Sequence, residues 1–538
     1  MKRALIVATL VAGVSAFYVL RLDGAAGLFV DDAWYIVLAQ SLVQGDGFRL
    51  ISSATTPILP AFPPGFPALL APVLAVTPPF PDNVAALKAV SIAAMFGVAA
   101  AIYLHLARHR SVPAPVAAVV SVISVLIPAF VFLAASTVMA EAVFTLGQLC
   151  VVLSVERAAR APAHDATRGA IVGGVVAGLT LLIRLAGIAG VVASALYLWH
   201  RRGWRVALVF TAVAAMCYAP WAIYAAAKRD SQEEHVRHGG SVAYSYRDLL
   251  LMRYGGEAHT GLVTWADLPN RISGNLLNVA GRDIGAFILP AVYRGWSESG
   301  QEVFGMSGEA GIRASSMGRV GATVSVSLAI SLVAVVGFVA AARRRFTVAE
   351  ILVPLTLGMI VLVPARTFRY VLPLAPLVVF YFLCGLEVLS AMAARARQWH
   401  FGSAFRIAAA CILALFCTEH TLYIRSMTSA TPPPWLQEHA ETKAVTDWIG
   451  TNLTAPGSVA SNNPGLVYLN TGRKGVSMGN PYENWQLWQR LGIRYGVALH
   501  PADKPGQVLP YETLYESPDH RRWVVELQPG LTEIDRRP

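Results

Sequence analysis

GLFVDDAWYIVLAQSLVQGDGF, residues 27–48, sets an acidic pair, Asp31-Asp32, just beyond the first hydrophobic segment of the chain. That preceding segment, Ala4 to Leu20, is apolar and long enough to cross most of a bilayer. Carboxylates are costly near hydrocarbon, and those kept there tend to be functional. Two of them at the mouth of such a helix could coordinate a cation, take a proton or hold a substrate. The plain alternative is a pair of solvated residues at a helix N-terminus, where Asp is favoured.

The rest of the chain is built for the same surroundings. Its 538 residues are 55% hydrophobic and 14% charged, with a mean hydropathy of +0.52. Soluble domains carry about a quarter charged residues, so the chain reads as an integral membrane protein. The net charge of +11 does not point to nucleic acid, because the basic residues cluster in short loops between apolar segments. The cysteines, Cys150, Cys217, Cys384, Cys411 and Cys417, all lie in apolar stretches and form no CxxC pair. That argues against a disulfide framework and against a cysteine zinc site. The N-terminal run lacks a clean small-residue cleavage site and reads as an uncleaved first helix.

Apolar runs of about twenty residues mark the spans. After the first come Val84 to Ala107, Val112 to Ala134, Val138 to Val155, and Ala170 to Trp199, which is long enough for two short helices broken near Arg184. Then follow Val206 to Ala227, Val320 to Ala341, Ala349 to Val363, Tyr370 to Leu389 and Ile407 to Ile424. The expected total is about eleven transmembrane helices. Lys2-Arg3, Arg108 and Arg110, Arg157 to Arg168, Arg201 to Arg205, Arg343 to Arg345, and Arg395 to Arg406 fall in alternate loops. The positive-inside rule assigns these to the cytoplasm. The opposite side receives the loop 21–83, the turn from Ser136 to Glu141, the turn near Arg184, the loop 228–319, the turn from Pro364 to Tyr370, and residues 425–538.

The organisation expected is thus a mainly α, polytopic membrane domain over 1–424 and a small extracytoplasmic α/β domain over 425–538. Within the first loop, AWYIVLAQSLVQ reads as an amphipathic helix lying on the membrane surface. In the C-terminal part, Glu438 to Leu453 is helical by periodicity, while VASNNPGLVYLNTG and RRWVVELQP read as strands. There is no internal repeat of the kind that marks many secondary transporters.

Few polar residues stand near the bilayer outside the basic loops, and most fall on the outer side. Glu141 begins the fourth span. Arg184 interrupts an apolar run, where an arginine at mid-bilayer would cost about 2.5–3.5 kcal/mol. Arg366 and Arg369 precede the tenth span, on the wrong side for the positive-inside rule. Arginine binds phosphate through a planar fork of donors, so a lipid phosphate would explain their placement. Displacing a sugar from a lipid phosphate needs a base near the acceptor hydroxyl and positive charge near the departing phosphate. These residues offer both.

The chain resembles the polytopic glycosyltransferases of the GT-C fold, and more narrowly the bacterial relatives of protein O-mannosyltransferases and of the lipid A aminoarabinose transferase. The likeness rests on Asp31-Asp32 followed by Trp34-Tyr35 and GDGF, on FPPGFPALLAPV (62–73), on Ala140-Glu141 ahead of AVFTL, and on Arg369-Tyr370 before VLPLAPL. GLTLLIRLAGIAG around Arg184 and Pro220-Trp221 add weaker support. The resemblance implies a sugar donor on a polyprenyl phosphate, used at the outer face of the cytoplasmic membrane without a nucleotide. It implies the first acid of the pair, Asp31, as base; the second, often Glu in those relatives, is Asp32 here. Asp32 and Glu141 would orient the acceptor or hold a metal, and Arg366, Arg369, Tyr370 and Arg184 would hold the lipid phosphate. Some relatives use a divalent metal ion, for which Asp32, Glu141, His235 and His238 are the candidates. The acceptor, whether lipid, polysaccharide or protein, has no signature. A transporter or flippase of a lipid-linked or polar substrate is the competing reading. Such proteins usually place their polar residues near the bilayer midplane.

Overall fold

The computed structural model describes residues 2–53, 56–228, 246–253, 261–292, 317–364, 368–394, 401–430, 432–478, 488–502, 504 and 511–527. Arg366, His235 and His238 lie outside them. The fold is mainly helical, with a five-stranded sheet near the C-terminus.

Every apolar segment marked in the sequence forms helix. Among the described residues seven helices are long and apolar enough to cross a membrane: Val84–His109, Glu141–Arg160, Ala163–Ile183, Trp204–Ala227, Ala322–Arg344, Phe368–Ala393 and Ser403–Met427. The pair Ala114–Val125 and Pro128–Ala135 makes an eighth if it is one bent span. It turns by 54° at Leu126-Ile127, where Pro128 cannot donate to the preceding turn. Of the remaining apolar segments, the first lies in the 20-residue helix Lys2–Arg21, and the other two form the shorter helices Ile188–Arg202 and Ala349–Leu362, of 15 and 14 residues. The expected break at Arg184 is present: the residue is extended (φ −151°, ψ 131°) between Ala163–Ile183 and Ile188–Arg202.

The helix Ala375–Ala393 runs through the middle of the bundle, and most of it is buried. Met317–Arg344 crosses it at two glycines. A Cβ on Gly337 would stand 1.8 Å from the Tyr381 carbonyl oxygen, and one on Gly385 would stand 2.0 Å from that of Val333. Backbones that close require residues without side chains, the usual device where lipid removes the hydrophobic drive between helices.

Basic loops gather at one end of the bundle. Arg110 bonds there to Glu350, to Thr347 Oγ1 at 3.2 Å and to Tyr381 Oη at 3.2 Å. Arg160 pairs with Glu156 at 2.8 Å, whose other oxygen accepts from the Val348 amide at 2.8 Å. Arg202 donates to the Ala159 carbonyl at 2.9 Å. Glu141 and Arg160 are the two ends of one helix, roughly 30 Å apart at 1.5 Å per residue. The basic end and the Glu141 end are therefore opposite faces of the bundle.

Residues 30–44 do form a helix, Val30–Gln44, but it is not the one-faced surface helix expected. Asp32 through Ala39 and Ser41 are all buried. Its apolar residues run round the helix, so it is covered on all sides, by Gly65–Val76 and by Pro464–Thr471 among others. Tyr35 and Trp34 meet Phe62 edge-on, at 5.2 and 5.4 Å between ring centroids.

The C-terminal sheet consists of β1 (Ser458–Ser461), β2 (Gly475–Ser477), β3 (Ile493–Ala498), β4 (Tyr511–Glu516) and β5 (Trp523–Leu527), in the order β2-β1-β3-β5-β4. β1 lies parallel to β2 and β3, and β5 antiparallel to β3 and β4. The run PGLVYLNT, expected as strand, is the helix Pro464–Thr471 that crosses from β1 to β2. Asn463 caps it, accepting from the Leu466 amide at 3.2 Å, and Pro464 occupies the first turn. The boundary expected at 424 falls inside the last long helix, Ser403–Met427. The domain is fastened to the membrane part: Trp435 stacks on Tyr423 at 4.9 Å and meets Phe132 edge-on at 5.0 Å. The Gly475 amide donates to Ser52 of the first loop at 2.8 Å.

Candidate functional site

Side chains from distant parts of the chain meet at the Glu141 end. Asp31 lies in the first turn of Val30–Gln44, Glu141 at the first position of its helix, Arg184 in the break, and Arg369-Tyr370 in the short 3-10 turn Phe368–Tyr370. Each stands at an element's end, where the backbone turns aside and a polar side chain can leave the apolar body.

Arg369 joins the two acids. Its Nη2 donates to Asp31 Oδ2 at 3.1 Å, and its Nη1 lies 3.7 Å from Glu141 Oε1. Arg184 Nη1 donates to the same Glu141 oxygen at 2.7 Å. The Arg369 guanidinium lies 5.0 Å from the centre of the Phe29 ring, and that of Arg184 is 5.9 Å from the centre of Tyr370. Glu141 is wholly buried, with Oε2 enclosed and unpartnered among the described residues. Asp31 is the open member of the set, with 27% of its side chain exposed. Two carboxylates and two guanidiniums balance in charge. Of the acids, only Asp31 is reachable from outside.

Asp32 plays a different part. It is fully buried, and its oxygens are taken by the Gly27 amide at 2.8 Å and its own neighbour's amide, Ala33, at 3.0 Å. Burial pushes its carboxyl up to about 7 against the pull of those two hydrogen bonds. It stands beside the cluster and fixes the start of the helix that carries Asp31. Among the described residues no group of three or more His, Cys, Asp or Glu is placed to hold a metal ion.

Lys88 escaped the sequence reading. It is wholly buried near the start of its apolar helix, Val84–Leu104, and Nζ donates to Asp23 Oδ1 and to the Asp23 carbonyl, each at 2.8 Å. Ser136 donates to the other Asp23 oxygen at 2.6 Å. The signal that picked out Arg369, a cation at the outer mouth of a span, applies equally to Lys88. Nothing in sequence marked Phe29 or Met139, whose sulfur lies 3.8 Å from Arg369 Nη1.

No family model and no curated protein sequence matches the chain. Solved structures do, across nearly its whole length. The fold is similar to that of two polytopic membrane transferases, in line with the GT-C type of fold that the resemblance implied. ArnT from Cupriavidus metallidurans bound to undecaprenyl phosphate superposes with a TM-score of 0.56 at 12% identity, covering 97% of both chains. The archaeal oligosaccharyltransferase AglB from Archaeoglobus fulgidus, in complex with an inhibitory peptide and a dolichol-phosphate, gives 0.51 at 13% identity, covering 92% of this chain and 69% of its own.

Proposed function

We propose that the chain is an integral-membrane glycosyltransferase that moves a sugar from a polyprenyl-phosphate-linked donor to a hydroxyl or phosphate oxygen of a lipid, polysaccharide or protein acceptor. The observation that carries this reading is the Asp31–Arg369 pair: a reachable carboxylate beside a guanidinium that a second, buried acid holds in place. The lipid phosphates in the two similar structures support a donor of this class.

In the reaction, the acceptor oxygen forms a bond to the anomeric carbon, and the bond from that carbon to the phosphate oxygen breaks. The electron pair leaves with the polyprenyl phosphate, and the acceptor proton passes to Asp31. Arg369 and Arg184, with the Tyr370 hydroxyl, face the charge that grows on the departing phosphate. Arg366, three positions before Arg369 in the sequence, is assigned to the same phosphate. Glu141 keeps the two guanidiniums together, and Asp32 keeps Asp31 at its helix start.

Eleven helices cross the cytoplasmic (inner) membrane in this reading, the shorter ones included. The basic end faces the cytoplasm, and the Asp31 end and the C-terminal domain lie outside. The test is transfer from a labelled polyprenyl-phosphate sugar by the purified protein. Asp31→Asn is expected to lower kcat by about 100-fold or more, the range for removal of a general base, with unchanged thermal unfolding. Full activity in that variant removes Asp31 as base. Movement of the lipid-linked sugar across sealed vesicles with no covalent product replaces the reading with that of a flippase.

A further inference from the structure

The C-terminal domain reaches the acidic pair through one unbroken line of hydrogen bonds. Glu438 Oε1 lies 2.9 Å from His500 Nδ1, and His500 Nε2 lies 3.2 Å from Asn463 Nδ2. That same amide nitrogen donates to the Gly27 carbonyl at 2.9 Å, across 436 positions of sequence. The Gly27 amide in turn donates to Asp32 Oδ2 at 2.8 Å. Asn463 and Asp32 are wholly buried and His500 nearly so.

The arrangement has one self-consistent pattern of donors. The Asn463 side chain spends its oxygen on the Leu466 amide at 3.2 Å, so its nitrogen faces both Gly27 and His500. An amide nitrogen carries two hydrogens, one for each. His500 Nε2 must then accept, and Nδ1 must carry the proton that goes to Glu438. Asn462 holds the backbone that carries His500, donating to the His500 carbonyl at 2.8 Å and accepting from the Leu499 amide at 2.9 Å. Gly27 is the joint at the far end. Its φ of +79° suits glycine alone, and a Cβ there would stand 2.5 Å from Leu466 of the same C-terminal helix.

We propose that Asn463 is a positioning residue for the acidic pair, acting through Gly27 and Asp32 on the helix turn that carries Asp31. This rests on the reading of Asp31 as the base. A base acts only within hydrogen-bond reach of its proton, and a displacement of about 1 Å can cost on the order of 100-fold in rate. The C-terminal domain is then part of the catalytic apparatus, because it completes the seat of the base.

The test uses the full-length chain in detergent. Asn463→Ser keeps a good helix cap but cannot reach Gly27; Asn463→Asp keeps the shape and replaces the donor by an acceptor. Both are expected to lower kcat at least tenfold, with the donor KM within twofold of the parent. Amide exchange is expected to quicken at least tenfold across residues 25–33 while the strands β1, β3 and β5 keep their protection. The control is Arg473→Ala, which removes bonds to the Ala455 and Gly457 carbonyls inside the domain and touches none of the line; its kcat is expected within twofold. The proposal is overturned if a folded Asn463→Ser keeps the parent kcat, or if Arg473→Ala loses as much at an equal fall in melting temperature. Exchange decides even if the parent transfers no sugar: unchanged exchange over 25–33 removes the link itself, whatever the reaction.

Discussion

Replacing Arg369 by lysine keeps one positive charge and removes the fork that spans two acids. At an effective permittivity of about 20, a unit pair at the observed 3.1 Å from Asp31 is worth about 5 kcal/mol, and one at 3.7 Å from Glu141 about 4.5 kcal/mol, before desolvation. A lysine ammonium can hold one of these contacts and must lengthen the other to about 5–6 Å, which forfeits roughly 1.5 kcal/mol. The directed hydrogen bond lost with it brings the total to roughly 2 kcal/mol after desolvation, or about thirtyfold in rate. Arg369→Lys is therefore expected to retain a few per cent of kcat/KM in the transfer assay. Arg369→Gln, which strips the charge and leaves Asp31 without its partner, is expected to fall well below that. Both variants should be followed by thermal unfolding, because a site that merely melts would lose activity in proportion to folded protein. Activity equal to the parent in Arg369→Gln, with a normal melting curve, would refute the role given to the pair. Equal losses in the lysine and glutamine variants would refute the claim that bridging geometry matters beyond charge.

Asp32 makes a prediction about pH. Its folded carboxyl is pushed up to about 7 by burial, from an ordinary value near 4. The stability it contributes is complete below about pH 4 and is lost as pH rises toward 7, because the unfolded chain ionises first; the loss is on the order of a few kcal/mol. Asp32→Asn, which cannot ionise, should show a flatter melting temperature between pH 4.5 and 7.5, and parallel curves for parent and variant would contradict this. Gly337→Ala should destabilise the bundle by about 1–3 kcal/mol, since the added carbon meets the Tyr381 carbonyl; an unchanged melting temperature would show that the two helices can part at no cost.

The membrane helices were legible because hydrocarbon leaves so few choices: runs such as Val84 to Ala107 have to be helical to satisfy their own backbone. Even the break at Arg184 could be placed, since a lone arginine in an apolar run marks where the chain needs an exit. The cluster was half legible. Asp31, Glu141, Arg184 and Arg369 stood out as charges at the outer mouths of spans, and they do meet. Their division of labour did not stand out. Asp31 and Asp32 are adjacent and alike in sequence, and only the Gly27 and Ala33 amides separate a buried anchor from an open carboxylate. The Val30–Gln44 helix was misjudged for the same reason: its cover comes partly from Pro464–Thr471, more than four hundred positions away, and no local pattern encodes a distant partner. In sequence that partner has the look of a strand, because VYL alternates well enough, and only Asn463 and Pro464 just before it mark the start of a helix.

The contact between Asn463 and Gly27 also sets an order of events in the making of the protein. The two residues are 436 positions apart, which at about 5–20 residues per second separates their synthesis by roughly 20–90 s. For that interval the loop holding Asp31 exists without the side chain that seats it. The first loop to be made is thus among the last to be finished. A nascent or prematurely ended chain that stops between Arg369 and Asn463 carries every charge of the cluster and lacks the seat of one of them.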